Sequence, residues 1–356
     1  MNYVPILKSR AGEFTALERL TDKTKKKILP LIEVTDIPWD FKSNQKAKTL
    51  NAHVDKFADK LTKSWGTSYP ILIDLPPSLL DGKVSNGDHL LKYLCNEGRA
   101  KGLKLVPVTG LGRGATYNTE IKGACATDAN GASIRLETSD LANPALKAAL
   151  DTLLGEIGVK ASEVDLILDF KEILPSQENT VLLALQQASS TLPRIKEWRS
   201  ITFAASSFPK DLSGVGPNQI ERIPRTEWKI WKAMNADKAR FPTIFGFGDY
   251  AISHPVMNEV DPRIIRMSAN IRYTLDDTWL VMKGKSVRST GYGQYSDPLS
   301  TQLVKMKEYK GASYSAGDQY IEDCAKKKVN SGNMTTWRFV GVNHHVTLAA
   351  DQISKM

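Results

Sequence analysis

Cysteine is scarce in this chain: Cys95, Cys125 and Cys324 are the three in 356 residues, far apart and never in a C-x-x-C pair. That excludes a zinc ribbon and a redox dithiol, offers no disulfide framework, and fits a reducing cytoplasm. No apolar run approaches the ~18 residues of a membrane-spanning helix. The start, Met1 to Lys8, has no basic segment ahead of an apolar one, so it reads as a first strand rather than a signal peptide. There is no H-E-x-x-H, G-x-S-x-G, Walker A loop or EF-hand loop. With 41% hydrophobic and 24% charged residues, disordered and collagen-like chains are also excluded. The balance of 48 basic and 39 acidic residues gives +9, spread along the chain. This implies weak nucleic-acid attraction without groove recognition. The one dense run, Lys23-Thr24-Lys25-Lys26-Lys27, reads as a solvated helix end.

What the sequence has is a repeated alternation. Short apolar segments end in a polar or ionisable residue, and a mostly helix-compatible stretch follows. The segments are Val4–Leu7 ending at Lys8, Ile28–Ile32 at Glu33, Pro70–Ile73 at Asp74, and Leu103–Val108 at Thr109. Then come Ser133–Leu136 ending at Glu137, Val164–Leu168 at Asp169, Ser200–Ala205 at Ser206, and Phe241–Phe247 at Asp249. Parallel neighbours need long crossovers, so the alternation argues for a parallel sheet. Eight units in about 250 residues match a (β/α)8 TIM-like barrel, favoured here over an open doubly wound sheet. Closure requires Val4–Leu7 to pair with Phe241–Phe247.

Beyond Pro255 the alternation stops. Arg263–Tyr273 and Thr278–Lys283 read as a hairpin, Ser300–Tyr309 as helical, and Ser315-Ala-Gly-Asp318 as a helix cap. Thr335–Val342 looks like a strand and Val346–Ile353 a last helix. The division expected is a barrel over 1–255 and a C-terminal α+β extension over 256–356, packed on it.

In a barrel the strand ends converge on one mouth, where active sites sit. Glu33, Asp74, Glu137, Asp169 and Asp249 would repel one another there without basic partners, a divalent metal such as Mg²⁺, or raised pKa values. Lys8, Arg135 and Lys171 are candidate partners. Gly110-Leu-Gly112-Arg113-Gly114-Ala115 and Gly246-Phe-Gly248-Asp-Tyr-Ala251 match a dinucleotide fingerprint only superficially. Both read as tight turns, the first with Arg113 available for an anion. Adjacent His344 and His345 diverge on any regular element, so they are poorly placed to share a metal. Trp228 and Trp231 read as core.

An ordered set of patches spans nearly the whole chain: Pro5-Ile-Leu-Lys8 with Gly12-Glu13; Pro30-Leu-Ile-Glu33; Ser207-Phe-Pro209; Arg225-Thr-Glu-Trp228; Phe247-Gly-Asp-Tyr250; Ile271-Arg-Tyr273; Ser315-Ala-Gly-Asp318; and Trp337-Arg338 leading to Asn343-His-His345. In this set the chain resembles the beta protein family of phages and prophages. Lys283-Gly284 departs from the Arg-Gly expected there, and lysine cannot grip an anion bidentately. The resemblance implies a cytoplasmic component of an anti-phage, toxin–antitoxin-like locus, with a toxic protein effector as partner. It supplies no reaction. The alternative is a barrel hydrolase or lyase acting on a phosphorylated or nucleotide-like ligand. The strand ends, ranked by these patches, nominate Lys8, Glu33, Asp249 and His345 for catalysis. Arg338, His344, Asp318, Tyr250, Arg113 and Arg272 are nominated for ligand or anion binding. The expected arrangement has Arg338 and one of His344 or His345 covering the mouth beside Asp249 and Glu33.

Overall fold

The eight apolar runs form eight parallel strands: β1 (Tyr3–Lys8), β2 (Leu31–Glu33), β3 (Pro70–Asp74), β4 (Lys104–Thr109), β5 (Ala132–Glu137), β6 (Val164–Glu172), β7 (Ser200–Ser206) and β8 (Gly246–Asp249). In this computed structural model, which describes residues 3–241, 243–256 and 267–356, they close into a barrel. Closure joins the first and last strands as the sequence requires, but the last strand starts at Gly246, so Tyr3, Val4 and Pro5 of β1 lie opposite Phe247, Gly248 and Asp249 of β8, and the run from Phe241 to Phe245 precedes the strand. The fold is therefore a (β/α)8 barrel.

Strand side chains alternate between two cores. Val4, Ile6, Leu31, Leu72, Val106, Val108, Ile167 and Ala204 point inward and fill the barrel with Leu29 and Tyr250. Tyr3, Leu7, Ile32, Ile73, Ile134, Leu168, Phe203 and Phe247 point outward and pack under the helices. Trp228 and Trp231, stacked at 5.0 Å, belong to that outer core. In the lysine run, Lys25 donates to the carbonyls of Ser64 and Trp65, and Lys27 reaches Asp351, so part of it ties helices together. Among the described residues no helix is long and apolar enough to cross a membrane.

Several local expectations are corrected. The helix-compatible stretch after β7, which as a sequence covers Ile220–Met234, opens instead with a strand, Gln219–Pro224, and only then becomes a helix, Thr226–Ala236. Pro224 explains the break, because a helix resists continuing into a residue that precedes proline. That strand pairs with Thr278–Ser286, which pairs in turn with Ser268–Thr274 in an antiparallel three-stranded sheet. The foreseen hairpin is thus present, although residues 263–266 of its first arm lie outside the described residues. The stretch after β4, which Gly110, Gly112, Gly114, Gly123 and Gly131 mark as a short and interrupted one, is a continuous helix, Ala115–Asp128. Ser300–Tyr309 holds only a short helical turn, Thr301–Leu303. Thr335–Val342 is not a strand but the first half of one helix, Met334–Ile353. Asn333 caps it through the amides of Thr335 and Thr336, and burial on most sides erases the polar stripe that would reveal its period. Ser315 does cap a helix, Ala316–Ala325, which crosses the last helix at Gly317. A Cβ there would lie 2.3 Å from the Val340 carbonyl oxygen, so only glycine permits the approach.

The last helix is fastened to the barrel wall through buried polar groups. Asp249 is one residue out of phase with the inward series and points outward. Tyr3 donates to its Oδ1 at 2.8 Å, and His345 Nε2 lies 2.7 Å from Oδ2. His345 Nδ1 is 2.9 Å from the Thr274 hydroxyl. Burial outweighs the Asp249 charge and lowers the His345 pKa. The ring is then neutral, donating to Asp249 through Nε2 and accepting from Thr274 at Nδ1. Replacing His345 by alanine leaves the buried Asp249 carboxylate short of a donor. Such a loss costs about 1–3 kcal/mol, so His345→Ala should lower the melting temperature by several degrees in calorimetry. A melting temperature at the wild-type value would refute the fastening role.

Candidate functional site

The mouth is built by the inward series carried one step further. Lys8 follows Ile6 by two positions, Glu33 follows Leu31, Asp74 follows Leu72, and Asp169 follows Ile167, so all four point inward at the carboxyl ends of their strands. Strand register sets Lys8 beside Glu33 and Glu33 beside Asp74. Arg135 of β5 lies at their centre. Its Nη1 donates to Glu33 Oε1 at 2.8 Å and Asp74 Oδ2 at 2.6 Å, and its Nε to Asp169 Oδ2 at 2.9 Å. Its Nη2 donates to the Tyr250 hydroxyl at 2.6 Å, which itself donates to Asp169 at 2.6 Å. Arg113 adds a second guanidinium on Asp74, 2.5 Å from Oδ1. Lys171 sits 3.1 Å from Asp169 and 3.3 Å from Glu137. Lys8 pairs with Glu33 and donates to the Pro255 carbonyl at 3.2 Å.

Above this floor lies a cavity of about 610 Å³. Leu75, Pro76, Pro77, Leu80 and Leu111 give it an apolar side, and Lys8, Glu33, Arg113 and Lys171 a charged one. Gly110 and Gly112, read as a tight turn, lie on its wall with Arg113.

The carboxylates differ in freedom. Burial alone would raise Asp74, but the Arg113 and Arg135 guanidiniums overcome it and hold its pKa below the usual range. Asp169, likewise opposed by burial, is held down at about 2 by Arg135, Lys171 and the Tyr250 hydroxyl. Burial works against the Arg135 charge, yet Tyr250, Asp169, Glu33 and Asp74 together push its pKa up. Asp74 and Asp169 are thus fixed anions, 4% and 0% exposed, whereas Glu33 and Lys8 keep 16% exposure each. The repulsion foreseen among the strand-end carboxylates is met by guanidinium groups. Among the described residues, no three His, Cys, Asp or Glu side chains are set to hold a metal ion.

Of the nominated residues, Lys8, Glu33, Tyr250 and Arg113 meet at the mouth. Asp249 and His345 do not: the out-of-phase position of Asp249 turns it to the outer wall, and His345 follows it there. Nor do His344 and Asp318, which pair at 2.8 Å between the last helix and its neighbour, with Tyr273 donating to Asp318. Arg338 and Arg272 gather at a separate small cavity. Lys283 donates to the carbonyls of Leu212 and Val215. Arg135 was visible only as one basic partner among three, although its place two residues before a strand end signals an inward side chain. Asp36, in a loop, and Ser139 and Asp140, in the four-residue helix Thr138–Leu141, are also on the cavity, where no periodicity marks them.

The depressed Asp169 value has a consequence for stability. Its folded pKa lies below the unfolded value of about 3.9, so its contribution is full above about pH 5 and lost as pH falls through about 2. About 2 kcal/mol should disappear over that interval. Urea unfolding of wild type and Asp169→Asn at pH 5 and pH 2 should show the difference between them shrinking by that amount. A difference independent of pH would mean that Asp169 is not a paired anion.

The sequence model of a family described as Beta protein matches residues 3–351. No curated protein matches the chain. Among solved structures, a type I 3-dehydroquinate dehydratase from Clostridium difficile is similar at 14% identity and a TM-score of 0.38, over 72% of this chain and 87% of that one. A modular endo-beta-1,4-mannanase from Cellulomonas fimi is similar at 13% identity and a TM-score of 0.35, over 71% of this chain and 55% of that one. The match across nearly the whole length, barrel and C-terminal elements together, makes the chain a member of the Beta protein family.

Proposed function

We propose that the barrel mouth is the working site and takes a phosphorylated or nucleotide-like ligand, on which hydrolase or lyase chemistry acts through Lys8 and Glu33. The observation that carries this reading is the division of labour among the charged groups. Arg135 fixes Asp74 and Asp169 as anions, while Lys8 and Glu33 alone of that series face the cavity from a partly exposed position. An ammonium and a carboxylate directed at one space supply a cationic proton donor and a proton acceptor. Arg113 and Lys171 stand beside them for a ligand's anionic part, and the Leu75–Leu80 side suits a flat apolar body. The placement at the carboxyl ends of the strands supports the reading, since barrels of this kind carry their chemistry there.

The test is a thermal-shift panel of inorganic phosphate, ribose 5-phosphate, AMP and ADP-ribose. At least one organic phosphate should raise the melting temperature, as any ligand of the folded state does. Lys8→Ala and Glu33→Gln should each abolish the shift or its turnover. A panel without effect on wild type would overturn the assignment.

A second reading concerns the setting, and family membership over residues 3–351, with the patches named above, favours it. In this reading the protein is a cytoplasmic component of an anti-phage, toxin–antitoxin-like locus and restrains a toxic protein partner. Expressing the neighbouring gene with and without this one should show toxicity only in its absence. Equal toxicity in both cases would remove the antitoxin role.

A further inference from the structure

Arg272 and Arg338 are the two nominated arginines that the mouth does not use. Arg272 rises from the strand Ser268–Thr274, and Arg338 from the start of the helix Met334–Ile353. Arg272 donates through Nε to Asn270 Oδ1 at 3.1 Å and through Nη1 to the Ile252 carbonyl at 2.8 Å. Its guanidinium lies 4.8 Å from the centre of the Phe208 ring. No carboxylate accepts from it among the described residues. Arg338 donates to Ser253 Oγ at 2.6 Å and stands 3.6 Å from Glu13, too far for a hydrogen bond. Burial pushes the Glu13 carboxyl up, against the Arg338 charge, which weakens the one acid paired with Arg338 among the described residues. Gly12 makes room for Arg338: a Cβ there would lie 2.6 Å from its Cγ.

The two guanidiniums line a cavity of about 30 Å³ together with Ile252, Asn270, Met334 and Trp337, and none of its lining residues is acidic. That is the room of one water-sized group, so an oxyanion would seat a single oxygen between the two guanidiniums, both only half-buried, with the rest of the ion directed outward. Burial, with the Arg338 charge adding to it, pulls the Arg272 pKa down to about 9. Arg272 still carries its charge at neutral pH, and among the described residues no carboxylate pairs with it. Two fixed cations around an acid-free cavity are arranged for one shared anion.

We propose that Arg272 and Arg338 form a binding site for a phosphate-type oxyanion, distinct from the mouth and joined to it by residues 250–256. The connection is made of short polar contacts along one segment. Tyr250 hydrogen bonds with Arg135 and Asp169 on the mouth floor, the Ile252 carbonyl accepts from Arg272, Ser253 accepts from Arg338, and the Pro255 carbonyl accepts from Lys8. An anion drawn between the two arginines tightens their hold on Ile252 and Ser253, and so fixes the backbone that carries Tyr250 and meets Lys8. The inference does not depend on what the mouth binds.

The test is titration of the full chain with inorganic phosphate, followed by calorimetry and phosphorus NMR. Wild type should bind, and Arg272→Gln and Arg338→Gln should each weaken binding by about tenfold or more, equivalent to about 1.4 kcal/mol. Arg338→Lys, which keeps the charge but loses the fork, should fall between, and it covers the case in which a glutamine variant fails to fold. Arg113→Gln alters the mouth, so whatever it does to binding there, phosphate should still slow amide exchange across residues 250–256 in this variant. Phosphate should also slow amide exchange across residues 250–256 in wild type but not in Arg338→Gln. Binding of AMP with the same dependence on Arg338, and more tightly than phosphate, identifies a phosphomonoester as the source; weaker AMP binding identifies the free ion. Absence of phosphate binding to wild type overturns the site. Loss of binding in Arg113→Gln with retention in Arg338→Gln assigns the ion to the mouth and overturns it as well, leaving the proposed function standing. Unchanged exchange across 250–256 overturns the link.

Discussion

One guanidinium, that of Arg135, makes the mouth of this barrel possible. Three carboxylates, Glu33, Asp74 and Asp169, are brought together by a register that cannot be altered without turning every inward side chain outward. In a buried setting they would repel one another or take up protons. Arg135 reaches all three and Tyr250 as well, using donors in a fixed fork that a lysine does not possess. With the floor neutralised in this way, the outermost pair, Lys8 and Glu33, is left facing the cavity.

Much of this was legible in the sequence because barrel strands obey a period of two. The apolar runs located all eight strands, and their polar ends located Lys8, Glu33, Asp74 and Asp169. The same period, followed through Gly248, would have turned Tyr250 inward and Asp249 outward, and ignoring that parity is why Asp249 was sought at the mouth. His345 and His344 are a different case. Their partners Asp249 and Asp318 lie 96 and 26 positions away, and no local pattern encodes such meetings. The strand Gln219–Pro224 was hidden for a related reason: all of its residues but the half-buried Ile223 are exposed, and its partner comes from beyond β8. The last helix was misread because a helix buried on nearly every side shows no period at all.

The adjacent histidines give that helix its particular part. Neighbouring side chains on a helix diverge by about 100°, so the pair cannot serve one site and instead serves two. His344 turns to Asp318 and the Thr274 carbonyl, within the C-terminal elements; His345 turns to Asp249 on the barrel wall, and accepts from Thr274. One helical step thereby joins the two bodies of secondary structure through fully buried polar groups. Asn343, a position earlier, adds a bond to the Ala16 carbonyl beside β1.

The three-stranded sheet has an order of assembly written into its connectivity. Its edge strand Gln219–Pro224 precedes β8 in the chain, while the central strand that pairs with it, Thr278–Ser286, follows β8. During synthesis the barrel's last strand therefore emerges before the edge strand has anything to pair with. Roughly 60 further residues must be made, a matter of several seconds at ordinary elongation rates. Through that interval the ribosome-bound chain carries an open row of backbone donors and acceptors, a hazard for pairing with other chains. The sequence Gln219-Ile-Glu-Arg-Ile-Pro224, with two charges and a terminal proline, is well composed to wait.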